Sequence, residues 1–156
     1  MPLAGSEYVG RELRRAQALR LRELLRGSEM LILSGAPPLD PDSDPPPDAE
    51  ILWHCGLPEF SEPDKDACIH MLKPMRKNIC RRGIARWFRI IDGDGVALLD
   101  GLVGVCETDH NDIVIKNCDF RTDKDGELTV SGFDLLPVDF PLLDLEQMNT
   151  GASVNA

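Results

Sequence analysis

Two short stretches set histidine beside cysteine: "WHC", which holds His54 and Cys55, and "CIH", which holds Cys68 and His70. Thiolate and imidazole are the ligand types zinc favours, and structural zinc sites draw them from closely spaced pairs such as C-x-x-C. Neither stretch is such a knuckle. The five cysteines, Cys55, Cys68, Cys80, Cys106 and Cys118, are odd in number and far apart. They are therefore expected as thiols outside disulfides, with no metal. Cys80 stands beside Arg81 and Arg82, whose charges favour a reactive thiolate. A nucleophile also needs a base within reach, and the three histidines, His54, His70 and His110, are scattered.

The carboxylates are read in the same way. Asp40, Asp42 and Asp44 imitate the opening of a calcium loop, but Pro45 stands where its glycine belongs and Ile51 where its closing glutamate belongs. Asp123 and Asp125, in "TDKDGE", read as turn residues at a strand junction. A nucleophile elbow, a phosphate loop, H-E-x-x-H and a dinucleotide fingerprint are all missing. The chain is expected to have no catalytic residue and no cofactor, and not to be an enzyme.

Positioning any of these side chains requires a scaffold. A length of 156 residues, 42% of them hydrophobic, suits one domain with a real core. No run of eighteen apolar residues occurs, and "MPLAGSEYVGRELRR" lacks the apolar core of a signal peptide. No membrane partner is expected, and synthesis is expected in the cytoplasm. Residues 10–27, "GRELRRAQALRLRELLRG", scan as one helix: Val9, Leu13, Ala16, Leu21 and Leu24 recur at helical spacing and Gly27 supplies a C-terminal stop. "MLILSG" reads as a strand, and the proline-rich run after it excludes both helix and ladder pairing, so 36–49 is an extended loop. "EILWHC", "RGIARWFRII", "GVALLDGLVG", "NDIVIKNC" and "GELTVSGFDLL" follow as short strands, with Asp-Gly in "IIDGDGVAL" the strongest hairpin signal. The expected fold is mainly β, a jelly-roll-like β-sandwich with an N-terminal α-helix and an extended C-terminal arm. Its divisions are 1–27 for the helix, 28–137 for the sandwich and 138–156 for the arm.

One strand is unusual. Phe88 and Ile90 project to one side of it, Trp87 and Ile91 to the other, and Leu98, Leu99 and Leu102 repeat the pattern in the next strand. A sandwich strand needs only its inner face apolar. The second face is therefore expected to meet the helix, another copy of the chain or a different protein. In "FPLLDLEQM", Phe140, Leu142 and Leu143 have no obvious place in a small sandwich and suit an arm that grips a partner.

Charge adds a mosaic to the net −10. Residues 1–26 hold six arginines and three glutamates; 27–66 hold ten acids and one lysine; 67–89 hold seven basic residues and no acid; 90–156 hold fourteen acids and three basic residues. Such blocks fix register between neighbouring molecules more than they add affinity. Nucleic acid is not an expected partner, because a basic stripe among so much acid lacks the positive footprint that phosphate binding needs.

The order of these segments resembles a family of small tailed-bacteriophage virion proteins. The resemblance rests on a strand running into a Gly-Pro-rich loop at 30–38, an Ala-x-Trp-Phe-Arg strand at 85–89, an Asp-Gly hairpin at 92–95, D-G-x-V-G at 100–104 and a closing strand ending in proline at 128–137. It implies a capsid cement or decoration protein of jelly-roll type, dimeric, bound to the major capsid protein on the capsid exterior. A phage tail or neck component, or a cytoplasmic protein-binding module, is the alternative. Phe88, Ile90, Leu99, Arg81, Arg82, Phe140, Leu142 and Leu143 are the expected interface residues. The segment 60–82 departs from the small-residue linker usual in that family.

Overall fold

The computed structural model describes residues 10–105, 112–121, 126–131 and 134–135; the expected arm, with Phe140, Leu142 and Leu143, lies outside the described residues. The chain is mainly β with one N-terminal helix. Helix α1 (Arg11–Leu25) is followed by β1 (Glu29–Leu33), β2 (Ile51–Gly56), β3 (Ile69–His70), β4 (Met75–Asn78), β5 (Trp87–Ile91), β6 (Ala97–Gly104), β7 (Ile113–Val114), β8 (Glu127–Val130) and β9 (Asp134–Leu135). Two compact units interleave along the chain: α1, 59–72 and β9 form one, while 26–58 and the described residues of 73–131 form the other.

In the first unit, α1 arises from Ala, Leu, Arg and Glu, all strong helix formers, with Glu12 in its first turn and Arg22 in its last complementing the helix dipole. Gly27 adopts a left-handed φ of 77° just beyond it, as a helix stop requires. The buried face is Gln17, Ala18, Leu21 and Leu25, so the stripe expected through Leu13, Ala16 and Leu24 is rotated and keeps only Leu21. The arginines account for the turn of the face. Arg22 Nε donates to the Phe60 carbonyl at 2.9 Å and its guanidinium to Glu62 at 3.0 Å, while Arg15 donates to the Pro63 carbonyl at 3.2 Å. Segment 59–72 doubles back on itself through Ser61 N–H to the His70 carbonyl (2.8 Å) and Leu72 N–H to the Glu59 carbonyl (3.0 Å). Strand β3 then pairs antiparallel with β9, setting Ile69 against Leu135 and His70 against Asp134.

The second unit is built on a five-stranded sheet in the order β2-β1-β5-β6-β7, antiparallel except for the last pair. The hairpin between β5 and β6 forms where Asp-Gly marked it. Asp92 Oδ1 accepts the N–H groups of Asp94 and Val96, each at 2.9 Å, and Gly95 takes a φ of 83°. A two-stranded ribbon, β4 with β8, joins through the Trp53 indole N–H, which donates to the Lys77 carbonyl at 2.9 Å.

Central position explains β5. It lies between β1 and β6, and Trp87, Phe88, Arg89 and Ile90 are all buried. Cross-strand pairing puts Phe88 and Ile90 on one face with Ile32 and Met30, which are also fully buried. On the opposite face the proline-rich loop closes over the sheet: Arg89 donates to the Ser43 carbonyl at 2.9 Å, and the Trp87 indole donates to the Ser34 carbonyl at 3.1 Å. The expected interface role of Phe88 and Ile90 is therefore corrected. At 4% and 0% exposure they belong to the core, beside the equally buried Ile32 and Met30 of β1.

Candidate functional site

Of the other expected interface residues, Leu99 is half-buried opposite Ile90, and Arg81 and Arg82 are exposed. Arg81 is ion-paired with Glu50 at 2.9 Å. The structure does not gather these residues into one patch; it gathers a different set. Strand β6, the end of β1 and the segment before β5 border an open groove of about 720 Å³, lined by Gly35, Pro37, Ile84, Arg86, Leu102 and Val103 among others. Leu102 is 40% exposed there. Pro37 and Leu102 also line a second hollow beneath the proline-rich loop, together with Pro38, Leu39 and Asp112. Asp112 stiffens that edge by accepting the Leu102 main-chain N–H at 2.8 Å.

Six of the seven basic residues in 67–89 reach solvent: Lys73, Arg76, Lys77, Arg81, Arg82 and Arg86. Burial alternates along β4 only at its first residue, so Met75 points inward while Arg76 and Lys77 remain outside. The second unit thus carries an apolar groove with one cation in its wall, Arg86, and further exposed cations along the same stretch of sequence. The seventh, Arg89, is inside: its guanidinium grips Asp100 with two bonds of 2.7 and 3.0 Å and lies 5.4 Å from the Trp87 ring centre.

The side chains with chemical potential part company. In "WHC" successive residues of β2 point to opposite faces, so His54 bonds to Glu29 at 2.8 Å while the Cys55 thiol bonds elsewhere, and burial pushes that thiol's pKa up. Cys80 donates its thiol to the Leu52 carbonyl at 3.3 Å. Asp40 serves a turn, accepting from Asp42 N–H at 2.9 Å, rather than opening a calcium loop. Asp123, Asp125, Cys106 and His110 lie outside the described residues.

"CIH" behaves differently. One residue separates Cys68 from His70, so both lie on the same side of an extended segment while Ile69 is fully buried on the other. A tight loop with Ala67 at a φ of 63° brings Asp64 back beside them. The loop is closed by Asp64 N–H to the Cys68 carbonyl (3.0 Å) and Ala67 N–H to the Asp64 carbonyl (2.9 Å). His70 is bracketed by carboxylates, Nε2 at 2.8 Å from Asp64 and Nδ1 at 2.8 Å from Asp134. Its pKa is raised by the hydrogen bonds to Asp64 and Asp134, while that of Asp64 is lowered, first by the Cys68 N–H and then by His70. The C-x-H spacing was the available signal for this cluster. It gains meaning only once the segment is known to be extended.

Compared with protein-family models, curated proteins and solved structures, the chain gives no match. Among the described residues, no helix is long and apolar enough to cross a membrane.

Proposed function

We propose that this chain is a structural virion protein that cements a bacteriophage capsid, a jelly-roll-like scaffold docking on the major capsid protein from the capsid exterior. The observation that carries the reading is the open groove of about 720 Å³ between Pro37, Ile84 and Leu102. Apolar surface left in water favours being covered, by roughly 25 cal/mol per Å². The occupant that fits is an extended segment of a shell subunit, its apolar side chains against Leu102 and Pro37 and an acidic group near Arg86. The resemblance to virion proteins read in "IARWFRIIDGDGVALLDGLVG" is part of the same proposal. A homodimer belongs to it, as does the arm 138–156 gripping a neighbouring subunit.

Mass spectrometry of purified virions, with a map of the shell, tests the proposal. Copy number comparable to the major capsid protein is expected. A handful of copies at one vertex would instead place the chain in the neck or tail, and absence from the particle would leave the cytoplasmic protein-binding module. Leu102→Asp, set in the groove wall, is expected to reduce shell occupancy while the circular dichroism spectrum stays unchanged.

A further inference from the structure

We infer that Asp64, Cys68 and His70 form a zinc site, with Asp134 as the carboxylate that orients His70. The ligand atoms of the three residues lie within 4.8 Å of one another. Zinc bonded to oxygen, nitrogen and sulfur at about 2.0 to 2.3 Å would sit among tetrahedral ligands about 3.3 to 3.8 Å apart. Admitting the ion draws the ligand atoms together by at most about 1.5 Å.

The arrangement has the parts of a built site. One Asp64 oxygen is held by the N–H groups of Asp66 (2.8 Å) and Cys68 (3.1 Å), which leaves Oδ2 facing His70. Strand geometry places Cys68 and His70 on one side of Ile69. Across the ladder, Asp134 sits in register with His70 and holds Nδ1 at 2.8 Å. Metal-ligating histidines commonly give their second ring nitrogen to a carboxylate, which fixes the ring and raises its basicity. A single surface ion pair would use one carboxylate; here each nitrogen has its own, and a thiol stands beside the inner one.

Ligand chemistry selects the cation. Thiolate with imidazole and one carboxylate is a borderline-soft set that suits zinc, whereas calcium and magnesium require oxygen ligands. Three protein ligands leave a fourth position for water. Entry of the ion displaces the Nε2 proton of His70 and the thiol proton of Cys68, both of which pass to solvent.

The full chain, stripped with a chelator and titrated with cobalt(II), tests this. A thiolate-to-cobalt charge-transfer band is expected, saturating at one ion per chain and abolished by zinc. Cys68→Ser should remove the band, and Cys55→Ser should leave it intact. Asp134→Asn should keep the band but weaken zinc binding about 10- to 100-fold in competition with a chromophoric chelator. The unsubstituted protein gives a second measure: stoichiometric zinc should slow alkylation of Cys68, read by peptide mass spectrometry. No band, a band that survives Cys68→Ser, or an alkylation rate indifferent to zinc overturns the site. Unchanged zinc affinity in Asp134→Asn overturns the orienting role.

Discussion

Arg89, on the face of β5 that also carries Trp87, is 6% exposed, clamped to Asp100 and tied to the Ser43 carbonyl. Burying two charges stabilises little overall, but removing one partner leaves the other uncompensated. Asp100→Ala is therefore expected to cost about 3 to 5 kcal/mol in urea unfolding. The double variant Arg89→Met with Asp100→Leu should recover most of that loss. Asp119 makes the contrasting case at the surface. Two bonds of 2.9 Å from the Arg121 side chain, aided by its main-chain N–H, hold the Asp119 carboxyl at about 2, against an ordinary 3.8. A lowered carboxyl pKa contributes stability that is present above 3.8 and lost as pH falls through about 2. Carboxyl NMR titration should find that midpoint in the native chain, and Arg121→Ala should move it upward. A midpoint unmoved by the substitution would mean that Arg121 does not hold it.

Whole elements were legible where apolar runs and turn chemistry agreed. The helix, β1, β2, β5, β6 and the Asp-Gly hairpin all lie in segments that the pattern marks. Strand β4 was not legible, because "MRKN" buries only Met75 and takes its strand character from pairing with β8, whose burial alternates cleanly. The groove was hidden for a related reason: residues near 36, 85 and 102 become neighbours only through sheet order. The Asp64 loop turns at Ala67, a left-handed position held by a residue that rarely adopts it, so nothing in the local sequence announces it. The double-sided apolar pattern of β5 was legible, but what covers it was not. A central strand beneath a loop and a strand beneath a partner protein leave the same residues. Gly101 records how closely this part of the sheet is packed. A Cβ there would collide with the ring of Phe88, its cross-strand partner. Gly101→Ala is thus expected to destabilise by about 1 to 3 kcal/mol through overpacking. Adding Phe88→Leu should relieve part of that cost in thermal unfolding, whereas additive losses would show that the two sites do not meet.

At the scale of the molecule, the mosaic of charge separates docking from mere solvation. The net charge of −10 should repel an acidic partner at long range, yet Lys73, Arg76, Lys77, Arg81, Arg82 and Arg86 are all exposed within one stretch that carries no acid. Exposed charges act over about 10 Å at 0.1 M salt and about 3 Å at 1 M, so a contact that relies on them must weaken as salt rises. An apolar contact must not. If the shell is held by both the groove and these cations, occupancy on purified particles should fall between low and high salt without vanishing. Reversal of Arg81 and Arg82 to Glu should lower occupancy at low salt and remove most of the salt dependence. Arg81 faces Glu50 at 2.9 Å, and exposed pairs of this kind contribute only about 0 to 1 kcal/mol, so the reversed protein should still fold. Arg82→Glu alone spares that pair and should give part of the effect. Occupancy indifferent to salt and to both reversals would assign these cations to solvation and leave docking to the groove alone.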